Sequence, residues 1–438
     1  MKRGVVALVG MGLLMQGGPA WADSSETAGI KAEVEVLKDR LASLERKLAD
    51  KDAVAAGADQ GSAIVQLPSG LHGVNLSGFV DTTFGYNFNA PQTRTNTLRV
   101  FDTQSQSFMI NNAELNLEKP VSKDSPLGFK TSLMFGTDAE VVGSVTTGLG
   151  LGTNEIELKD AYVDYLAPLG EGLDVKVGKF ATMHGAEVIE SKDDWNITRS
   201  YLFGFAIPFT HTGIRATYPV ASWLSATLGV NNGWDVVDDN NKGKTLETSF
   251  TITPNAKTSL TANYMVGPEQ TTDVAQPATA SPSGFGSNSH MRHLIDIVAS
   301  YQPIDPLQLK LNLDYGVEKQ GVINGFDNSS WTGIAGYARY ALTDKWSIAS
   351  RTEWFHDADG ARTAFNPAVA AANVINGITG TDLKLWETTL TSEYKITPHL
   401  IGRLEYRHDQ ASEHVFRRQD KGQRPYQDTV SVEFIAPF

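Results

Sequence analysis

The sequence contains no cysteine. Disulfides, thiolate nucleophiles and cysteine-ligated metals are therefore excluded together. Nor does the mature chain hold an apolar run long enough to cross a membrane as a helix. Positive charge is scarce as well: Lys+Arg 37 against Asp+Glu 50 leaves a formal charge of −13, the opposite of a nucleic-acid-binding surface. There is no Gly-x-Ser-x-Gly, no His-Glu-x-x-His and no phosphate loop. Gly148-Leu149-Gly150-Leu151-Gly152 has no helix after it and reads as a loop tip. His290 and His293 open a strand pattern at a spacing that puts them on opposite faces, which argues against one metal. No enzyme activity, cofactor or metal is expected.

What is present begins with an address. Lys2 and Arg3 precede an apolar stretch from Gly4 to Met15, and Ala20-Trp21-Ala22 follows as a small-x-small cleavage site. That layout predicts a secretory signal over 1–22. Because no cysteine follows, a lipoprotein anchor is not expected. The mature chain is thus expected to leave the cytoplasm.

From Ile30 the apolar residues Ile30, Val34, Leu37, Leu41, Leu44 and Leu48 step 4, 3, 4, 3, 4, flanked by Lys31, Glu33, Lys38, Arg40, Glu45 and Lys47. This heptad seam predicts a short coiled-coil helix within 23–52. A helix of that length is marginal alone in water, so the seam is expected to pair with copies of itself. Residues 53–72, rich in Ala, Gly and Ser and lacking a period, read as a linker.

After Gly73 the period changes to two. Val74, Leu76, Gly78, Val80, Thr82, Phe84, Tyr86 and Phe88 fall on one face, and Asn75, Ser77, Asp81, Thr83, Asn87 and Asn89 on the other, with Phe79 out of place. Strict alternation over such a run means a strand with one dry and one wet face. The pattern recurs to the terminal Phe438. About sixteen segments result, starting near residues 74, 105, 127, 156, 173, 212, 223, 245, 258, 291, 307, 330, 346, 383, 400 and 427. Alternation slips by a step near Asn112 and Asp160, as a β-bulge would cause.

The connections alternate in length without a break. Short ones carry turn formers, such as Pro168–Gly172, Pro254–Lys257 and Pro303–Pro306. Between them lie polar stretches at 89–104, 137–155, 181–211, 231–244, 267–290, 316–329, 356–382 and 409–425. A soluble sandwich has no reason to sort its loops by length, whereas an outer-membrane barrel puts short turns on the periplasmic side and long loops outside. Tyr218, Tyr301, Tyr340, Tyr394, Trp223 and Trp346 flank the short turns, with Tyr86, Phe88, Tyr315, Trp354 and Tyr406 at the opposite strand ends. Two aromatic girdles at headgroup level follow. The expected fold is all-β: a transmembrane antiparallel β-barrel of about sixteen strands over 73–438, in the outer membrane, preceded by a short periplasmic coiled-coil helix.

Several segments resemble a known group. They are Asn75–Asp81, Asp160-Ala161-Tyr162-Val163-Asp164-Tyr165, Val175–Phe180, Tyr201–Phe205 with Pro208, and the terminal Phe438. Together they look like the putative β-barrel porin-2 family over roughly 73–438, and that resemblance implies a diffusion channel. The heptad segment is similar to that of trimeric sugar and phosphate porins. It implies a homo-oligomer, with a trimer favoured.

A barrel of this size is expected to enclose water. Inward cations read from the alternation are Lys176, Arg215, Arg292, Lys310, Arg339, Arg351, Arg403 and Arg407. The inward anions are Asp81, Asp160, Asp164, Asp296, Asp314, Glu353, Glu405 and Glu433. The tightest cluster joins Arg351 and Glu353 to Arg403, Glu405 and Arg407. The stretch 181–210 carries Glu187, Glu190, Asp193, Asp194 and Arg199 and then apolar Tyr201–Ala206, so it is expected to fold inward as a constriction. The partners expected are outer-membrane lipid and small hydrophilic solutes or ions, with no nucleic acid. The alternative is a structural or adhesive barrel with a blocked lumen.

Overall fold

The computed structural model describes residues 65–66, 73–143, 155–270, 288–319, 328–363 and 381–438. The chain divides at Gln60. The signal, the heptad helix and most of the linker lie outside the described residues.

Sixteen long strands form one antiparallel sheet: β1 (Asn75–Asn87), β2 (Ser107–Lys119), β3 (Leu127–Phe135), β4 (Ile156–Ala167), β5 (Leu173–Ala181), β6 (Thr210–Ala221), β7 (Leu224–Asn231) and β8 (Thr245–Asn255), then β9 (Thr258–Pro268), β10 (Met291–Ile304), β11 (Leu307–Glu318), β12 (Ser329–Ala341), β13 (Trp346–Asp357), β14 (Leu383–Thr397), β15 (Leu400–Ala411) and β16 (Tyr426–Pro437). Every expected start falls within two residues of an observed one. Each strand pairs with its sequence neighbour, and β16 also pairs with β1, from Thr429↔Asn87 to Pro437↔Phe79. Closure removes every free sheet edge, which a backbone in lipid requires.

The outer surface carries the dry positions: Val163, Val177, Ile214, Leu228, Phe250, Leu390, Leu404 and Phe434 are all exposed. Trp346 and Tyr394 are direct cross-strand partners beside the short turn after β12, and Tyr86, Tyr315 and Tyr406 are exposed toward the other end. Both slips of alternation are bulges. Asp81 pairs with Asn112 but Thr82 with Ile110, leaving Asn111 extra. Ser132 pairs with Asp160 but Leu133 with Leu158, leaving Lys159 extra.

Two local details go beyond the pattern. The linker is not featureless to its end, because Val65–Gln66 forms a two-residue strand on β1, with Val65 opposite Leu76. Phe79, out of place by pattern, is a buried inward side chain whose ring lies 5.9 Å from Lys192 Nζ. An aromatic on the wet face is stable there because a loop covers it.

Candidate functional site

The long connections are numbered L1 to L8 in chain order. L3 (182–209) does not stay outside the barrel. It crosses the lumen from β5 and β6, and its backbone is held by inward side chains of β11, β13 and β15 on the facing wall. On β13, Glu353 accepts hydrogen bonds from the Tyr201 N–H at 2.5 Å and the Leu202 N–H at 3.1 Å. On β15, Glu405 accepts from Ile197 N at 2.6 Å, Thr198 N at 3.0 Å and Thr198 Oγ1 at 2.6 Å. Arg403 donates to the carbonyls of Ser191 and Asp194, each at 2.9 Å, and Arg407 to that of Arg199 at 2.6 Å. From β11, Lys310 donates to the Ala186 carbonyl at 3.3 Å and lies 4.5 Å from the Trp195 ring centre.

A loop that leaves the sheet loses its ladder partners, and its buried N–H and C=O groups must be met elsewhere. Here wall carboxylates meet the donors and wall guanidinium groups meet the acceptors. The arginines are themselves shared: Arg351 donates to Glu187 Oε1 and to Glu387 Oε1, both at 2.6 Å. Arg403 bridges Glu393 at 2.8 Å and Glu433 at 3.1 Å.

Within L3, burial alone would raise the Glu187 carboxyl, but Arg351 and Ser200 outweigh it and hold it below the usual range. Glu190 is likewise held down against burial by Lys159, which also contacts Glu114 at 3.0 Å. Asp194 goes the other way: burial pushes it up to about 7, opposed by Arg199, whose Nε stands 3.0 Å away. Asp193 joins none of these pairs and instead meets the Lys192 ammonium at 2.7 Å.

Toward the long-loop side the interior is apolar. A turn of π-helix, Leu202–Ala206, packs with Leu98 and Phe101 of L1, with Trp331 and Phe355 on the wall, and with Leu383 and Leu385 at the start of β14, all buried. Trp331 Nε1 donates to the Ala206 carbonyl at 3.1 Å, and Arg362 Nε to that of Phe205 at 2.7 Å. The inserted loop thus carries its own hydrophobic cover into the lumen, and the strand ends beneath it match. Toward the short turns the wall carries further charge pairs. There Asp164 and Lys176 are direct cross-strand partners, and Arg339 pairs with Glu393 at 2.8 Å. Arg215 stacks 4.1 Å from the Phe180 ring centre and pairs with Glu247 at 2.8 Å.

The family model described as putative β-barrel porin-2, OmpL-like, matches residues 73–438. The chain belongs to that family. It is an outer-membrane porin. Among solved structures it is similar to OmpT of Vibrio cholerae at 11% identity, covering 86% of this chain and 99% of that one with a TM-score of 0.52. OprB of Pseudomonas putida gives 14% identity, 84% and 94% coverage and 0.52. An anion-selective porin of Comamonas acidovorans gives 13%, 83%, 99% and 0.51. At these identities the likeness speaks for the barrel fold. A comparison with curated proteins finds no significant match.

Several groups that hold L3 in this porin were not on the sequence-derived set. Glu387 and Glu393 were legible, since they alternate with outward Trp386, Leu390 and Tyr394. Asp409, which accepts from Arg407 Nε at 2.8 Å and from the Tyr201 hydroxyl at 2.7 Å, continues the Arg403, Glu405, Arg407 series by one step. Arg99 of L1, which donates to Asp409 at 2.6 Å, has no periodic signal.

Proposed function

We propose that this porin is a passive diffusion channel for small hydrophilic solutes or ions, with L3 as its constriction. Glu187, Glu190, Asp194 and Arg199 serve that constriction by holding it in place. Arg351, Glu353, Arg403, Glu405 and Arg407 serve as its wall anchors. Lys310 is a further wall anchor, and Lys176, Asp164, Arg215 and Arg339 line the wider parts of the route. The observation that carries this reading is the set of bonds to the L3 backbone from β11, β13 and β15, the side of the barrel across from β5 and β6 that L3 joins, which stretches the loop across the bore. A narrow bore between charges of both signs favours small polar solutes over bulky or apolar ones.

Planar-bilayer recording of the purified mature chain tests the reading, and stepwise conductance is the expected result. The blocked-barrel reading draws on the apolar packing around Leu202–Ala206; it would be favoured by electrical silence from a barrel that still migrates as folded.

We also propose a homo-oligomer, with a trimer favoured, on the strength of the heptad seam at Ile30–Leu48. Light scattering in detergent, with and without residues 23–52, tests this. The oligomer is expected to persist only in the longer chain.

A further inference from the structure

Around the bore, each of the sixteen strands turns inward at least one side chain that is no more than 9% exposed. Asp81 on β1, Ser132 on β3, Arg215 on β6, Asn263 on β9, Asn312 on β11 and Arg403 on β15 mark the circuit. Polar and charged side chains beside an aqueous passage stay exposed, so an open path past L3 would show as a wet stretch of wall. None of these sixteen positions is wet. The cavity between L3 and the β1–β16 seam, lined by Asp81, Glu433 and Arg199 among others, has a volume of about 10 Å³, room for one water.

The grip on L3 is uneven. Toward β11–β15 its backbone meets Lys310, Arg351, Glu353, Arg403, Glu405 and Arg407. Toward β1–β4 two polar contacts hold it: Ser191 Oγ donates to Asp81 Oδ2 at 2.7 Å, and Glu190 pairs with the Lys159 ammonium. Lys159 is the extra residue of the β4 bulge, a side chain that the strand period alone would not turn inward. It also meets Glu114 at 3.0 Å and Asp160 at 3.7 Å, so the buried lysine keeps partners when Glu190 leaves it. The Glu190 side chain is 18% exposed and has water within reach on release. Ser191–Asp193 is one 3₁₀ turn with extended residues, Glu190 and Asp194, on either side. Arg403 holds the carbonyls of both Ser191 and Asp194, which makes it a pivot for that turn.

We propose that L3 is a gate as well as a constriction: in this conformation it shuts the bore, and the channel opens when Glu190 leaves Lys159 and the Glu190–Asp193 turn swings about Arg403, away from β1–β4. The inference rests on the channel reading above and deepens it. The β11–β15 side of L3 stays in place, and the latch sets how long the closed state lasts.

Bilayer recording and thiol labelling of the purified full chain test the gate. The wild type is expected to open in steps separated by long closures. E190A should raise the open share at least about fivefold with the wild-type step size, because the latch biases closure and does not shape the open bore. The chain has no cysteine of its own, so S132C puts a single thiol on the wall beside the latch, where Ser132 is the cross-strand partner of Asp160 and is 0% exposed. A water-soluble thiol reagent is expected to label S132C slowly and S132C/E190A about tenfold faster, as access follows opening. Heat-modifiable migration checks folding, and E190Q is the second latch variant should E190A not fold. A wild type that stays open would overturn the gate and leave the channel standing. So would wild-type closures and labelling in the latch variant, or a larger step with unchanged closures. Openings in the latch variant alone would count for the gate. Silence from folded wild type and latch variants together would remove the channel reading and the gate with it.

Discussion

Arg407 shows how much one side chain does inside this barrel. Its guanidinium donates to the Arg199 carbonyl at 2.6 Å and to Asp409 at 2.8 Å, and lies 4.8 Å from the Tyr201 ring centre. It is buried, so removing it leaves the Arg199 carbonyl unmet in a dry place and takes one cation from Asp409, which keeps Arg99 and Tyr201. Breaking such a buried pair costs about 3–5 kcal/mol. Arg407→Ala is expected to loosen L3 by that order, seen as increased open-channel noise and a lower urea midpoint for loop proteolysis. Asp194 gives a pH signature at the same scale. Its folded-state value of about 7 lies above the ordinary carboxylate value of 3.8, so its stabilising contribution is full below about pH 4 and is lost as the pH rises through 7. The charged groups around it are Arg199, Glu187 and Lys310. Hydrogen exchange of the L3 amides should accelerate over that window in the wild type, while Asp194→Asn should flatten the slope.

The strands and L3 are stabilised in different ways. A strand satisfies its backbone through its neighbours, so its own period says which face is wet. L3 has no ladder and depends on Glu353, Glu405, Arg403 and Arg407 for partners. Deleting Lys192–Arg199 removes the Ile197 and Thr198 donors that Glu405 receives, together with the Arg199 carbonyl under Arg407. Single-channel conductance of that deletion is expected to rise severalfold with the barrel intact; an unchanged conductance would remove L3 from the constriction role. The bulges were legible as elements because two polar residues stand together where one was due, Asn111 with Asn112 and Lys159 with Asp160. What Lys159 does was not legible, since its partners Glu114 and Glu190 sit on β2 and L3.

At the scale of the whole molecule, Phe438 extends the β1–β16 seam by one more pair. Phe438 N–H donates to the Gly78 carbonyl at 2.9 Å and its carbonyl accepts from Gly78 N at 3.0 Å. A Cβ on Gly78 would come within 2.5 Å of Phe438 Cζ, so the glycine makes room for the terminal ring. Removing Phe438 deletes both bonds, about 1 kcal/mol each, and frays that end of the seam while the pairs from Thr429 to Pro437 remain. Phe438 deletion and Gly78→Ala are both expected to reduce the heat-modifiable, folded fraction after refolding into detergent. A full yield from both variants would show that the seam closes without this contact.

The barrel was readable from the chain because its determinants are local: a period of two gives each strand a dry and a wet face, and loop length sorts the two rims. The inward charges Arg351, Glu353, Arg403, Glu405 and Arg407 were readable for the same reason. That they grip a loop and hardly touch solvent was decided by tertiary structure alone. The bonds joining Glu353 to Tyr201 or Arg403 to Ser191 span more than 150 residues of chain, and no period in either segment carries that pairing. The hydrophobic cover around Leu202–Ala206 escaped for the same reason: an apolar run in a loop finds its partner only once the barrel has closed around it.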